Sequence, residues 1–180
     1  MTRILKLFSI IFITCMVLLI IVGLFVKPVT YITRTVVIES PATVVWRHLL
    51  EYNGYQSWQK GVKKVILIKG DKIREGATLR IYHTDQPKEI AHEERVVKLD
   101  DENQISFLRE GLNENPLLRD FQTTYLIKRL LDGTTEITVT ISYRTSGFVT
   151  RIYNQIFLRT DYGVEGEKNL LALRKLIENS

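Results

Sequence analysis

A long apolar run near the start of the chain constrains its organisation more than any other feature. Residues 7–26 are apolar apart from Ser9, Thr14 and Gly23, and no carboxylate occurs in the first thirty residues. As an α-helix, with about 1.5 Å of rise per residue, this run would be roughly 30 Å long, which matches the hydrocarbon core of a bilayer. We therefore expect one N-terminal transmembrane helix, with residues 1–30 forming an anchor and a short link.

A cleaved secretory signal is the main alternative to an uncleaved anchor. Apolar regions of signal peptides span about 7–15 residues and end at small residues, whereas this run is longer and is followed by Lys-Pro-Val-Thr at residues 27–30. A lipidated Cys15 is disfavoured because the apolar run continues past it. A buried core helix is the third interpretation.

The flanking charges predict an orientation. Arg3 and Lys6 precede the apolar run, and only Lys27 follows it directly. Positively charged flanks tend to stay in the cytoplasm. The sequence therefore predicts a single-pass membrane protein whose N-terminus is inside and whose C-terminal domain lies outside the cytoplasm.

Residues 31–180 are about as long as one common domain, so we expect one domain there. The chain has 25 Lys and Arg against 20 Asp and Glu. Without Arg3, Lys6 and Lys27 the balance is 22 against 20. The largest basic cluster is Lys60, Lys63 and Lys64, which is typical of a solvated face. A nucleic-acid partner is therefore not expected.

The residue types of metal and cofactor sites are sparse. The single cysteine lies in the apolar run, so the domain has no disulfide and no thiolate ligand. No H-E-x-x-H, G-x-S-x-G or phosphate-binding glycine motif occurs. We expect no cofactor and no metal. His83 and His92, on consecutive predicted strands, are the candidates for acid–base chemistry.

Alternating apolar residues separated by turn residues predict seven strands. These are residues 31–38, 62–69, 78–84, 88–99, 104–110, 120–131 and 134–144. Ser40 and Pro41 are expected to begin a short helix, with Ser40 as its cap. Residues 148–178 form a predicted long amphipathic helix, in which Gly163 and Gly166 indicate a kink or a close approach. Its apolar stripe contains Phe148, Ile152, Ile156, Val164 and Leu171.

Short links between strands indicate an antiparallel meander, which must bury one face. The last helix is the element long enough to cover that face. We therefore predict an α+β domain in which a curved sheet of about seven strands surrounds a long C-terminal helix, preceded by the transmembrane helix.

This order of elements resembles the START-like superfamily, also called SRPBCC, which includes polyketide cyclase/dehydrase and lipid-transport proteins. Residues 36–46 look like the strand-Ser-Pro-x-x-Val-Trp entry to its first helix, and 55–62 like its Tyr-x-x-Trp segment without the usual proline. Residues 73–77 and 161–171 resemble its third-strand glycine and its C-terminal helix. The resemblance implies a helix-grip fold and a START-like ligand-binding domain over residues 31–180.

The resemblance also implies a cavity between sheet and helix that holds lipids, sterols, polyketides or other apolar molecules. If Tyr125 and Tyr143 point inward, Phe121 and other alternate residues share their face. The candidate ligand-binding residues are Trp58, Tyr82, His92, Phe107, Phe121, Tyr125 and Tyr143. Arg109 and Arg129 are possible sources of a charge in such a pocket.

Three functions remain open. The first is a membrane-anchored domain that binds a hydrophobic or lipid-like small molecule. The second is an interaction or stress-response module with an unknown protein partner, which predicts a collapsed cavity and an exposed apolar patch. The third is a cyclase or dehydratase, which predicts an inward, buried titratable pair, for instance His92 near Tyr82 or Tyr125.

Overall fold

The computed structural model describes residues 2–25, 27–84, 90–110 and 117–180. Its helices are α1 (Thr2–Phe25), α2 (Ala42–Leu50), α3 (Phe148–Tyr153) and α4 (Arg159–Glu178), with a 3-10 helix at Tyr52–Ser57 and a π-helical turn at Asn154–Leu158. Its strands are β1 (Val29–Ile38), β2 (Val62–Lys69), β3 (Thr78–His83), β4 (Ile90–Asp100), β5 (Gln104–Glu110), β6 (Leu118–Arg129) and β7 (Thr135–Thr145).

The strands form one antiparallel sheet in the order β1-β7-β6-β5-β4-β3-β2. All seven predicted strands are present among the described residues, and β2 and β5 have the predicted bounds. The start predicted for β4 at Lys88 lies outside the described residues. Consecutive strands from β2 to β7 are neighbours, and β1 joins the far edge beside β7, so the predicted meander is confirmed.

One face of this sheet packs against α4 and contains the core. Alternate residues of β6 and β7 point toward it, and Tyr125, Ile127, Ile137 and Tyr143 are buried there. The inward direction predicted for Tyr125 and Tyr143 is therefore confirmed. This arrangement is the expected helix-grip architecture, a sheet around a long C-terminal helix.

The glycines of α4 allow close approach to the sheet. A Cβ atom on Gly163 would lie 2.5 Å from Nη2 of Arg34, and one on Gly166 would lie 3.4 Å from Cδ1 of Ile141. Both glycines are buried. The close approach predicted for these positions is confirmed.

The predicted apolar stripe of the last helical segment is wrong at several positions. Ile156, Val164 and Leu171 are exposed, whereas the buried residues of α4 are Gly163, Gly166, Leu170, Leu173 and Ile177. A π-helical turn interrupts the segment at Asn154–Leu158. Such a turn accommodates an extra residue in the helix, so an α-helical period extended through it assigns residues to the wrong face.

The start of α2 also differs from the prediction. Pro41 is the N-cap, in an extended conformation, and no side chain of the described part of the chain caps the helix. Ser40 instead accepts a hydrogen bond at its carbonyl oxygen from Thr135 Oγ1 at 2.6 Å. Trp46 is in the core, and its Nε1 donates to Asp101 Oδ1 at 2.7 Å.

The predicted transmembrane helix is not supported by the structure. Within the described residues, no helix combines the length and the hydropathy that crossing a bilayer requires.

Candidate functional site

A small cavity lies between the inward face of the sheet and α4. Its volume is about 80 Å³. Sites for drug-sized ligands measure about 300–1,000 Å³, so the cavity in this conformation has room for a few water molecules only. It is lined by Tyr55, Gln59, Lys60, Val62, Ile81, His83, His92, Glu94, Phe107, Arg109, Phe121, Thr123, Tyr125, Val139, Ile141, Tyr162, Glu165, Gly166 and Asn169.

The register of β3, β4 and β5 brings polar side chains of this cavity together. His92 and Glu94 are two residues apart on β4, so their side chains lie on one face of the sheet. Arg109 of β5 is the direct partner of Glu94. On the other side, β3 places Ile81 opposite His92 and carries His83 two residues farther along the same face.

These four side chains form a continuous polar chain. His83 Nε2 lies 3.1 Å from His92 Nδ1, and His92 Nε2 lies 3.0 Å from Glu94 Oε1. Nη2 of Arg109 lies 3.6 Å from the same carboxylate oxygen. When neutral His92 donates from Nε2 to Glu94, its Nδ1 is an acceptor, so Nε2 of His83 must then be the donor.

Glu94 is buried but remains a carboxylate. Burial alone raises the pKa of its carboxyl group, but the hydrogen bond from His92 and the charges of His92 and Arg109 outweigh burial and hold that pKa below its ordinary value. Only 13% of the Glu94 side chain and 9% of the His92 side chain are exposed. A buried anion is therefore paired with two potential cations at one end of the cavity.

Arg109 combines this ion pair with an aromatic contact. Its guanidinium carbon lies 4.2 Å from the centroid of the Phe121 ring, which is a cation–π geometry. Its Nε is buried and has no hydrogen-bond partner among the described residues. Buried donors are normally satisfied, so this Nε–H is an unpaired donor in the wall of the cavity.

Three tyrosines complete the walls. Burial is the main reason why the pKa values of the Tyr55, Tyr125 and Tyr162 phenols are raised. All three therefore stay neutral at physiological pH. Tyr55 already donates its hydroxyl proton to the Leu49 carbonyl oxygen at 2.6 Å.

A contact between the segment before β2 and α4 lies in the wall of the cavity. The backbone N–H of Lys60 donates to Oδ1 of Asn169 at 2.9 Å. We call this hydrogen bond the latch. Outside it lies an open groove of about 420 Å³. Gln59, Lys60, Val62 and Asn169 line both spaces.

The predicted ligand-binding residues are distributed unevenly around this site. His92, Phe107, Phe121 and Tyr125 line the cavity. Trp58 is buried beside it, with ring centroids 5.2 Å from Tyr55 and 6.1 Å from Tyr125, and it lines the outer groove.

Tyr143 and Tyr82 do not line the cavity. Tyr143 lies behind its wall, where its ring stacks on Phe121 at 5.7 Å and its hydroxyl donates to Asn154 Oδ1. Burial raises the pKa of Tyr143 to about 12. Tyr82 is on β3 between Ile81 and His83, so its side chain points to the opposite face of the sheet.

Sequence reasoning did not assign Glu94, Tyr55 or Tyr162 to the site. The signal for Glu94 was its period-two spacing from His92, because alternate residues of a strand share a face. Tyr55 and Tyr162 come from helical elements at both ends of the domain, and their convergence depends on tertiary packing. Among the described residues, no group of three or more His, Cys, Asp or Glu side chains is arranged to hold a metal ion.

Comparisons with known proteins give one family and one fold. A family model described as polyketide cyclase / dehydrase and lipid transport matches residues 30–178. No curated protein matches the chain.

Several solved structures share the fold. The Zhui aromatase/cyclase from Streptomyces sp. R1128 is 18% identical, with a TM-score of 0.67 over 83% of this chain and 94% of its own. The di-domain ARO/CYC BexL from the BE-7585A biosynthetic pathway is 17% identical, with a TM-score of 0.68 over 83% of this chain and 46% of its own. TTHA0849 from Thermus thermophilus is 17% identical, with a TM-score of 0.62 over 83% of this chain and 98% of its own. At such identities the likeness shows the fold alone.

Proposed function

The chain belongs to the polyketide cyclase / dehydrase and lipid transport family, and on that premise we propose that its domain binds a hydrophobic small molecule between the sheet and α4. The composition of the cavity is the observation that carries this proposal. Nine of its nineteen lining residues are aromatic or aliphatic, and nine are polar or charged. Four of the polar ones, His83, His92, Glu94 and Arg109, form the connected chain at one end. Aromatic and aliphatic walls beside convergent polar groups are typical of small-molecule sites.

The ligand requires an opened form of the domain. A space of about 80 Å³ is too small for a lipid or a polyketide. Gln59, Lys60, Val62 and Asn169, which include both partners of the latch, line this space and also the outer groove of about 420 Å³. Breaking the Lys60–Asn169 hydrogen bond joins the two spaces, and their combined volume falls in the range of ligand sites.

The polar end of the cavity would orient the ligand. The Arg109 Nε–H lacks a protein acceptor among the described residues, and it points to a ligand oxygen as its partner. The rest of the ligand would lie against Phe107, Tyr125 and Val139. We therefore expect an apolar skeleton with at least one carbonyl, hydroxyl or carboxylate oxygen.

A matched pair of variants tests ligand binding. Protein purified from a lipid-rich host is extracted with organic solvent, and the extract is analysed by mass spectrometry. Thr123→Phe fills the cavity from β6, whereas Leu126→Phe adds an aromatic ring to the opposite, exposed face of the same strand. We expect a stoichiometric ligand from the wild type and Leu126→Phe but not from Thr123→Phe. Equal recovery from all three, or recovery from none, contradicts the proposal.

A cyclase or dehydratase is the second candidate function. The observation that favours it is the buried His92–Glu94 pair at 3.0 Å, because a paired imidazole inside a cavity can donate and accept protons during loss of water. The test is a reactive polyketide thioester analogue, whose conversion to an aromatic product is followed by absorbance. His92→Asn should abolish any acceleration. A wild-type rate equal to that in buffer excludes this function.

We also propose the membrane location expected from the sequence. Apolar side chains of α1, including Phe8, Ile10 and Phe12, are exposed to solvent, and a bilayer would cover them. The test is fractionation of cells followed by an alkaline wash, with Phe12→Asp as the comparison. Membrane-retained wild type supports the location, and full release of the wild type contradicts it. A reporter active only in the cytoplasm, fused to Ser180, should be inactive if the domain lies outside.

A further inference from the structure

In the helical segment that follows β7, residues 148–158, apolar side chains face outward and polar side chains face inward. Its outer face presents Val149, Tyr153, Ile156 and Phe157, with 75%, 47%, 58% and 50% of their respective surfaces exposed. Its inner face buries the polar residues Thr150 and Asn154. A surface helix of a soluble domain normally does the opposite, with apolar residues inside and polar residues outside.

Hydrogen bonds satisfy Asn154 on the inner face. Asn154 accepts from the Tyr143 hydroxyl at 2.6 Å and donates from Nδ2 to Thr30 Oγ1 at 2.8 Å. These bonds attach the segment to β7 and β1. The apolar side chains of the outer face take no part in these hydrogen bonds.

The outer face extends beyond the helix. The backbone N–H of Ser146 donates to the carbonyl oxygen of Leu117, which brings Leu117 beside the start of α3 with 44% of its surface exposed. The rings of Tyr153 and Phe157 pack together with centroids 5.1 Å apart. We call the set of exposed residues Leu117, Val149, Tyr153, Ile156 and Phe157 the docking face.

Two neighbouring features indicate what covers the docking face. The apolar helix α1 contacts α3, and apolar side chains of α1 are exposed as well. Exposed basic residues lie on the segments that adjoin the docking face in the chain and in strand register, namely Lys27, Arg119, Arg144 and Arg159. Among the described residues, the acidic ones on these segments are Asp120, which is paired with Arg144, and Asp161.

We propose that the docking face lies in the interfacial region of an anionic bilayer and holds the domain flat against the membrane. A helix with an apolar outer face and flanking arginines is suited to the boundary between acyl chains and negatively charged headgroups. The proposal extends the membrane location proposed above, because it adds a second contact made by the folded domain itself.

Site-specific quenching in the full-length chain tests the proposal. In a Cys15→Ser background, an environment-sensitive fluorophore is attached at Gln155→Cys, an exposed position beside Ile156. The control is Leu131→Cys, at the fully exposed turn between β6 and β7, at the opposite end of those strands from α3. A third probe at Phe12→Cys reports on α1 independently. The proteins are mixed with vesicles of phosphatidylcholine with or without phosphatidylglycerol, containing brominated lipid.

We expect quenching at residue 155 and none at residue 131, with more quenching when phosphatidylglycerol is present. Ile156→Glu combined with Phe157→Glu should remove quenching at 155 while leaving the probe at residue 12 unchanged. Quenching at 12 without quenching at 155 overturns the docking face but leaves the membrane location intact. Shielding of the probe at 155 without lipid, at concentrations where the chain dimerises, also overturns the proposal. It would mean that a second copy of the chain covers the docking face.

Discussion

Nε2 of His92 lies 3.0 Å from Oε1 of Glu94, two residues farther along the same strand. Both side chains point into the cavity, and neither is more than 13% exposed. The hydrogen bond lets a carboxylate remain ionised in a setting where burial alone favours its neutral form. It therefore sets the charge at the polar end of the cavity.

Replacing Glu94 should separate the role of this buried anion from that of an exposed one. Glu94→Gln leaves His92 and Arg109 without their anionic partner, and we expect a loss of about 1–3 kcal/mol in the free energy of unfolding at pH 7. The matched control is Glu93→Gln on the opposite face, where the carboxylate pairs with half-exposed Arg80. Glu93→Gln should lower the free energy of unfolding by less than about 1 kcal/mol. Urea unfolding measures both, and equal losses would contradict the assignment.

The same pair predicts a dependence of stability on pH. The pKa of Glu94 is lowered on folding, so its contribution is fully present above the unfolded pKa of about 4.3 and is lost as the pH falls through the folded value. The wild type should therefore lose more stability than Glu94→Gln between about pH 5 and pH 3. Thermal unfolding at a series of pH values checks this, and parallel curves for both proteins would exclude it.

Weakening the latch should speed exchange between the cavity and solvent. Asn169→Ala removes the acceptor of the Lys60 N–H and should cost about 1 kcal/mol of stability. Stopped-flow mixing with a fluorescent fatty-acid analogue should show faster association and dissociation. Lys168→Ala changes a neighbouring wall of the groove without touching the latch and is the control. Unchanged rates in Asn169→Ala mean that the entrance lies elsewhere.

Asn154 should be the most sensitive position of the π-helical turn. Asn154→Leu deprives the Tyr143 hydroxyl of its acceptor and the Thr30 hydroxyl of its donor. We expect the free energy of unfolding to fall by about 2–4 kcal/mol, because each buried unsatisfied group costs about 1–3 kcal/mol. The exposed neighbour provides the comparison, and Gln155→Leu should change stability by less than about 0.5 kcal/mol. Chemical denaturation that finds the two variants alike would show that the network is not stabilising.

The two glycines of α4 should respond differently to alanine. Gly166→Ala places its Cβ in van der Waals contact with Ile141, so the gain in helix propensity, up to about 1 kcal/mol, should be retained. Gly163→Ala instead forces Arg34 to move away from its contact with Glu167 at 3.6 Å, which offsets that gain. Thermal melts should give Gly166→Ala a higher melting temperature than Gly163→Ala. The reverse order would mean that Arg34 moves at no cost.

Local sequence patterns were sufficient to predict much of the fold of this protein. Strands alternate with a period of two, and turn residues mark their ends, so the seven strands, the antiparallel meander and the inward direction of Tyr125 and Tyr143 followed from the order of residues. These features depend on backbone geometry within a few residues. The same alternation places Glu94 on the face of His92.

Tertiary structure decided the rest. The pairing of β4 with β5 brought Arg109 to Glu94, and the position of β3 brought His83 to His92, because register between strands depends on how a whole sheet buries one face. The volume left beneath α4 depends on how closely Gly163 and Gly166 let the helix approach. The π-helical turn rotated Ile156 outward, since the hydrogen bonds of Asn154 to two distant strands outweighed the periodicity of the helix itself.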